Sequence, residues 1–188
     1  MDRCEALIIG GSAGSLEVLL KILPELDPAL PFPVIIVLHR MPGKDSILTS
    51  LLAAKTLLHV KEVDEKEKMK PGTIYIAPPN YHLLFERNRT FSLDASEKVN
   101  FSRPSLDVSF ESAADVFGKK LAGLLLSGAN SDGTAGLKAI AKKGGKVLVQ
   151  EPNSAVVSYM PAHALEQVAT DAVLTPDLMS SYINSLKN

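Results

Sequence analysis

Residues 6–14 are Ala6-Leu7-Ile8-Ile9-Gly10-Gly11-Ser12-Ala13-Gly14, and residues 16–23 continue with a helical pattern of apolar side chains. The pattern G-x-S-x-G therefore stands between a predicted strand and a predicted helix. Its glycines allow the backbone to turn sharply, which exposes the Ser12 hydroxyl beside the first amides of the helix. Because those amides can hold an oxyanion, Ser12 is a candidate nucleophile. The alternative is a glycine-rich turn in which Ser12 only caps the helix.

Composition limits the class of protein. The chain has 188 residues, of which 46% are hydrophobic and 22% charged, and its formal net charge is -1. This length suits one domain over residues 1–188, and the charge provides no overall field that would favour nucleic acid or an anionic membrane. Residues 1–5 lack the basic and apolar segments of a signal peptide, and the single Cys4 excludes an intrachain disulfide and a cysteine-rich zinc site. We therefore expect a soluble, cytoplasmic protein.

Unbroken apolar runs predict a parallel sheet covered by helices on both faces. Residues 34–38 form such a run, and together with residues 6–9 and the intervening helix they complete a β-α-β unit. Similar runs occur at residues 121–126 and 146–150. Further strands are predicted over 72–78 and 172–174, and further helices over 46–58, 105–117, 134–142, 161–168 and 178–186. The fold class is therefore α/β.

Two segments interrupt this alternation of strands and helices. Residues 81–85 and 90–93 alternate in hydrophobicity around the polar residues 86–89, which predicts a β-hairpin. Residues 61–68 mix charges of both signs, and we expect them to form a solvated surface segment.

Three predicted strands end in residue types that carry chemistry. Ser12 follows the first strand, His39 follows residues 34–38, and Asp132 lies in the loop after residues 121–126. The carboxyl ends of parallel strands lie at one edge of the sheet, where a histidine can act as base for a serine and a carboxylate can fix the histidine tautomer. Taken alone, His39 is also compatible with an ordinary loop histidine, and Asp132 with a cap of the helix that begins at Thr134.

Other catalytic and binding motifs fit less well. A dinucleotide fingerprint requires a second glycine where Ser12 stands, and no G-K-S/T follows Gly10 as a P-loop requires. No pair of histidines has the spacing of metal ligands, so neither a metal nor a cofactor is expected. Ordinary α/β-hydrolases have the order Ser, Asp, His, whereas the order here is Ser, His, Asp.

Several strings along the chain resemble one family. These strings are residues 8–14, Leu38-His39-Arg40-Met41-Pro42, residues 127–136 around Asp132, Tyr75-Ile76-Ala77-Pro78 with His82, Arg103-Pro104-Ser105-Leu106-Asp107, and Met160-Pro161. They are similar in order to the catalytic domain of the CheB-type protein-glutamate methylesterases, from about Ala6 to Leu186. A set of ordered motifs is much more specific than G-x-S-x-G alone.

The resemblance implies a doubly wound, mainly parallel sheet in a three-layer sandwich, with a β-hairpin in place of one helix. It also implies hydrolysis of γ-glutamyl methyl esters on methylated chemoreceptors, with glutamine deamidation as a related activity. In that reaction His39 would deprotonate Ser12 and Asp132 would orient His39. The backbone amides of Ala13 and Ala129 would hold the oxyanion.

The chain departs from the family pattern at several positions. Ala13 and Ser15 stand where the family usually has Thr and Gly, Arg40 stands where it has Met after the histidine, and Ala129 also replaces a Met. Family members commonly carry an N-terminal receiver domain, whereas this chain begins at the catalytic strand. We therefore expect one of three situations: constitutive activity, regulation by a separate receiver-type protein, or service in a signalling system outside chemotaxis. Contact with the membrane is expected only through the receptor. A second hypothesis is a non-catalytic module of the same fold that binds receptor helices.

Overall fold

The unbroken apolar runs form the central strands of a seven-stranded parallel sheet. A computed structural model describes residues 3–40 and 47–187. The strands of the sheet are β1 (Ala6–Gly11), β2 (Val34–Leu38), β3 (His59–Glu62), β4 (Thr73–Ile76), β7 (Leu121–Leu125), β8 (Lys146–Gln150) and β9 (Ala172–Leu174). The remaining strands, β5 (His82–Phe85) and β6 (Phe91–Asp94), form a separate antiparallel hairpin, as the alternation of residues 81–93 predicts.

Six helices accompany these strands in the described part of the chain. They are α1 (Ser15–Ile22), α2 (Leu48–Ala53), α3 (Leu106–Phe117), α4 (Thr134–Lys142), α5 (Tyr159–Gln167) and α6 (Pro176–Ser185). Both α5 and α6 begin two residues before their predicted starts, and α6 begins with a proline, which suits the first turn of a helix. Within the described residues, no helix combines the length and the apolar character that crossing a bilayer requires.

The order of strands across the sheet is β3-β4-β2-β1-β7-β8-β9. The chain first builds outward from β1 through β2, and later returns to the other side of β1 with β7, β8 and β9. The order of strands therefore reverses between β1 and β7. In open parallel sheets, ligands bind at the carboxyl edge beside such a reversal, because the loops after the two strands diverge there.

Alternate residues of each central strand supply two separate cores. Leu7 and Ile9 of β1 pack in the core beneath α1, α2 and α6, whereas Ala6 and Ile8 pack in the core beneath α3, α4, α5 and the hairpin. The hairpin thus covers part of one face of the sheet in place of a helix. The prediction of a doubly wound, three-layer α/β fold with an inserted hairpin is confirmed.

The prediction for residues 46–68 is partly wrong. Helix α2 is only six residues long, and β3 begins just after the predicted helix and takes the first two residues of the predicted surface segment. The start of the predicted helix, at Ser46, lies outside the described residues. In β3 only Val60 is buried, because β3 is the edge strand, so its sequence lacks the apolar run of a central strand. Its pairing with β4 is a tertiary contact that local composition does not encode.

Helices α3 and α4 pack closely at Gly136. A Cβ at this position would lie 2.4 Å from the Cβ atom of Phe110 and 3.2 Å from the Cα atom of Asp107. Such separations are far shorter than a van der Waals contact, so the backbone of α4 approaches α3 at a distance that only glycine permits.

We expect Gly136→Ala to lower the free energy of unfolding by about 1 to 3 kcal/mol, since the added methyl group must push α4 away from α3. Urea unfolding followed by circular dichroism measures this change. The matched control is Ala135→Ser on the exposed side of α4, which should change the free energy by less than about 0.5 kcal/mol. Equal stabilities of Gly136→Ala and the wild type would contradict the close packing.

Candidate active site

Ser12 and His39 lie side by side at the carboxyl edge of the sheet. The register of β1 and β2 pairs Gly11 with Leu38, so the next residue of each strand is Ser12 and His39. The backbone amide of His39 donates to the carbonyl oxygen of Gly11 at 3.1 Å. On the other side of β1, the amide of Ser12 donates to the carbonyl oxygen of Ser127 at 2.9 Å. The loops after β1, β2 and β7 therefore meet where the strand order reverses.

The turn after β1 is fixed by the hydroxyl group of Ser15. Gly14 has φ +83°, the left-handed conformation that glycine adopts without strain, and α1 begins immediately after it. The buried Ser15 hydroxyl accepts a hydrogen bond from the Ser12 amide at 3.1 Å and donates to the Ser127 carbonyl oxygen at 2.9 Å. One of the departures from the family pattern thus connects the turn to the loop after β7.

The loops after β7 and β8 also contact this turn. The Ser127 hydroxyl donates to the carbonyl oxygen of Ala13 at 2.6 Å and accepts from the amide of Val157 at 2.9 Å. A Cβ at Gly128 would lie 3.1 Å from the Cβ atom of Ser12, so this loop runs directly against the serine. The backbone around Ser12 is therefore held by contacts from two neighbouring loops.

His39 is bound to Asp132 through its ring. The Nε2 atom of His39 lies 2.7 Å from Oδ2 of Asp132. The Asp132 side chain is fully buried, and the His39 side chain is 13% exposed. The structure thus joins the side chains of His39 and Asp132, which are two of the three residues that the sequence predicts for the site.

The Asp132 carboxylate accepts four further hydrogen bonds, which come from the start of α3 and the segment before it. The donors are the amides of Leu106 (2.7 Å) and Asp107 (3.0 Å), the Ser105 hydroxyl (3.0 Å) and the Asn100 side-chain amide (3.0 Å). Burial opposes ionisation of Asp132, but the hydrogen bonds from His39, Asp107, Asn100 and Leu106 outweigh it and lower the pKa to about 2. Because the carboxylate is ionised at neutral pH, the proton between it and His39 resides on Nε2.

Asp107 makes the reciprocal contact with the start of α4. One oxygen of its carboxylate accepts from the amides of Gly133 at 2.9 Å and Gly136 at 2.8 Å. The Asn100 side-chain amide donates to the other oxygen at 2.8 Å and so bridges Asp107 and Asp132. Burial raises the pKa of Asp107 against the hydrogen bond from Gly136, and together with the negative charge of Asp132 it brings this pKa to about 6.

Sequence reasoning assigned no role to the residues that surround Asp132. In the sequence, Ser105 and Asp107 belong only to a string that is similar to the family, and no pattern points to Asn100. His82 is buried, accepts from the Ser105 amide at 3.1 Å through Nδ1, and lies 2.8 Å from the Glu97 carbonyl oxygen through Nε2. It therefore supports the start of α3. The only local signal in the sequence is that Ser105 precedes a helix whose first turn contains Asp107. This is a common capping pattern and does not indicate a site.

The Ser12 hydroxyl is not connected to His39 in this structure. Across the described residues, it makes no hydrogen bond with the ring or with any other group. The backbone amides of Ala13 and Ala129, the predicted oxyanion donors, belong to exposed residues, and in the same part of the chain neither amide has an acceptor. Both amides are therefore without an internal acceptor in the described residues.

Comparison with known proteins identifies the family of this chain. The family model described as CheB methylesterase matches residues 7–183. The chain belongs to the CheB methylesterase family. The catalytic domain of Thermotoga maritima CheB methylesterase has a TM-score of 0.93 and 32% sequence identity, covering 98% of this chain and 100% of that one. The predictions of family, fold and enzyme class are confirmed.

Two relatives differ in how much of their own length is matched. The Leptospira interrogans protein named "Putative protein-glutamate methylesterase/protein-glutamine glutaminase" is 46% identical over 171 residues, which are 91% of this chain and 89% of that protein. The Methanosarcina acetivorans protein-glutamate methylesterase/protein-glutamine glutaminase 2 is 38% identical over 184 residues, which are 94% of this chain but 52% of that protein. The chain thus spans most of the first relative and about half of the second.

We expect Asp107→Asn to flatten the dependence of stability on pH between about pH 4 and pH 6. Because the folded-state pKa of Asp107 lies above its ordinary value of 3.8, its carboxyl group binds more protons in the folded state in this window, and its contribution to wild-type stability falls as pH rises. The neutral variant lacks this slope, which amounts to about 1 to 2 kcal/mol after allowance for partial solvent exposure. Urea unfolding at pH 4, 5, 6 and 7 measures it.

The control for this experiment is Asp115→Asn, at an exposed position of the same helix. This variant should keep the wild-type slope. If Asp107→Asn also keeps it, Asp107 is not the group that titrates in this range. The folded-state pKa of Asp132, about 2, and its ordinary value of 3.8 both lie below this window, so protonation of Asp132 contributes little to the slope.

Proposed function

We propose that this chain hydrolyses γ-glutamyl methyl esters on chemoreceptor-like signalling proteins, with Ser12 as nucleophile, His39 as base and Asp132 as the residue that orients His39. The observation that carries the proposal is the 2.7 Å contact between His39 Nε2 and the buried, ionised Asp132. A buried carboxylate with five hydrogen-bond donors fixes both the ring orientation and its tautomer. His39 in turn lies one strand away from Ser12.

The tautomer determines how the proton moves. With the proton held on Nε2 by Asp132, Nδ1 of His39 is the basic nitrogen and takes the proton of the Ser12 hydroxyl as its oxygen attacks the ester carbonyl. The resulting imidazolium is stabilised by the Asp132 carboxylate and returns this proton to the departing methoxide, which leaves as methanol. Water then attacks the acyl-enzyme and gives a proton to Nδ1, and the imidazolium returns this proton to the Ser12 oxygen as the acyl bond breaks. The glutamic acid side chain that is released loses its proton to solvent.

Substrate binding completes the contact between Ser12 and His39. Catalytic hydrogen bonds are often absent or long before substrate binds, and rotation of one serine side chain is a small change. The amides of Ala13 and Ala129 donate to the oxyanion of each tetrahedral intermediate, and each donor is worth on the order of 100-fold to 1000-fold in rate. Neither donor depends on the side chain at its position, so the replacements at these two positions preserve both donors.

The same intermediate accounts for deamidation of glutamine. The names of the relatives include protein-glutamine glutaminase. Attack of Ser12 on a side-chain amide gives an equivalent acyl-enzyme, with ammonia leaving in place of methanol after protonation by His39. We therefore propose glutaminase activity as a second reaction of the same site. We further propose that the protein acts in the cytoplasm in chemotaxis or related signalling, and that a separate receiver-type protein regulates it.

We expect Ser12→Ala to lower turnover by about 10⁴-fold to 10⁶-fold, because the acyl-enzyme can no longer form. Release of methanol from methylated chemoreceptor in membrane vesicles measures turnover. The matched control is Ser131→Ala, an exposed serine in the loop that carries Asp132, which should retain most of the activity. Near-normal release of methanol by Ser12→Ala would refute the assignment of the nucleophile.

A fluorophosphonate probe separates this enzyme from a binding module of the same fold. The probe forms a covalent bond with an activated serine, and peptide mapping identifies the residue that carries it. The proposal requires labelling of Ser12 in the folded wild type and its loss in Ser12→Ala. A folded protein that binds methylated receptor without labelling and without releasing methanol would instead be the non-catalytic module.

A further inference from the structure

Residues 99–102 form a tight turn that carries an unusual aromatic side chain. The amides of Val99 and Ser102 each donate to the carbonyl oxygen of the other, at 3.1 and 3.0 Å. The two central residues, Asn100 and Phe101, have φ values of 51° and 62°. Two-residue turns of this kind favour asparagine at the first position and glycine at the second. A bulky residue with positive φ is an outlier that costs conformational energy.

Packing of the Phe101 ring does not offset this cost, because the residue is 98% exposed. A phenylalanine that is strained in its backbone and almost completely solvated contributes nothing to the folded core. Strained residues of this kind occur most often at sites that bind ligands. The side chain therefore requires an explanation outside the fold.

The turn is anchored firmly enough to hold this conformation. At its tip, Asn100 donates to both Asp107 and Asp132. Behind it, one nitrogen of Arg103 donates to the carbonyl oxygens of Ala95 at 2.7 Å and Ser96 at 2.6 Å. Phe101 thus follows Asn100, whose side chain is hydrogen-bonded to the carboxylate that contacts His39.

Phe101 borders a cavity that opens next to His39. The cavity has a volume of about 350 Å³, and His39 and Phe101 are both in its wall. Its wall also contains three cationic side chains, those of Arg40, Lys98 and Arg103. Arg40 is engaged with the Ala77 carbonyl oxygen and Glu62, and Arg103 with the backbone. Lys98 is exposed and forms no ion pair within the described part of the chain.

The charge of this cavity indicates what occupies it. None of the described residues that line it is acidic, and Lys98 and Arg103 form no ion pair within that part of the chain, so the cavity favours an anionic segment of a protein. Hydrolysis of each glutamyl ester also adds one carboxylate to that segment. The exposed Phe101 ring supplies an apolar contact at the rim, and aromatic residues are the side chains that most often dominate binding energy in interfaces.

We propose that Phe101 is a specificity residue for the protein substrate, contacting an apolar side chain of the acidic segment that bears the ester. This inference rests on the proposed methylesterase function and names a residue outside its catalytic machinery. The conformational strain at residue 101 is the cost of presenting an exposed ring beside His39.

The test compares a protein substrate with a small one in wild type and in Phe101→Ala. We expect the KM for methylated chemoreceptor in membrane vesicles to rise about 10-fold in the variant, the effect of removing one aromatic anchor, while kcat changes less than about threefold. For N-acetyl-glutamate γ-methyl ester, which has no flanking segment, kcat/KM should fall by much less than it does for the receptor. Released methanol is measured in both assays.

Two further variants separate recognition from folding. Phe101→Gly removes the ring and suits the positive φ, so its melting temperature should equal or exceed that of the wild type while its KM for the receptor rises as in Phe101→Ala. Leu57→Ala removes a side chain that is 87% exposed and precedes β3, at the edge of the sheet opposite His39. This variant should hydrolyse both substrates with wild-type KM and kcat.

The outcomes distinguish this inference from the function on which it rests. A wild-type protein that releases no methanol from methylated receptor overturns the proposed function and this inference together. A wild type that does release it, with an unchanged KM in Phe101→Ala, overturns only the role of Phe101. Equal losses on the receptor and on the small ester would show that Phe101 acts on the catalytic residues and not on the protein segment.

Discussion

Asp132 precedes α4, yet its carboxylate accepts hydrogen bonds from the first amides of α3, while Asp107 in α3 accepts from the amides at the start of α4. A fully buried carboxylate is costly unless such donors surround it. These reciprocal hydrogen bonds therefore fix the two helices relative to each other at the edge of the sheet. Gly136 lets the helices approach closely enough for the bonds to form. His39 is oriented by a group whose position is set by this helix pair.

The turn around Ser12 is held by a second set of contacts, through Ser15 and Ser127. These hydroxyl groups satisfy backbone groups of the loops after β1, β7 and β8 and leave the Ser12 hydroxyl without a partner in the described residues. The site thus combines a rigid backbone with one free side chain. In the proposed reaction such an arrangement keeps the reorganisation small, because only the Ser12 side chain has to rotate to meet His39.

The region before α3 connects the orienting carboxylate with the protein surface. Asn100 contacts Asp132 and Asp107, and the next residue in the same turn is the exposed Phe101. A segment that lies against this turn therefore also lies next to the group that holds His39. In the proposed function this proximity links recognition of a protein surface with the geometry of His39, and an isolated active-site pocket would not provide such a link.

The sequence alone determined the alternation of strands and helices, the two-sided burial of the central strands, the hairpin, and the strand ends that carry Ser12, His39 and Asp132, since these follow from local periodicity and from the glycine-rich turn. It did not determine edge strand β3, whose polar residues are defined only by pairing with β4. Nor did it determine the roles of Asn100 and Asp107 or the exposure of Phe101. Those depend on contacts between segments more than 20 residues apart, such as the bond from Asn100 to Asp132, which only the packed helices and the strand order bring together.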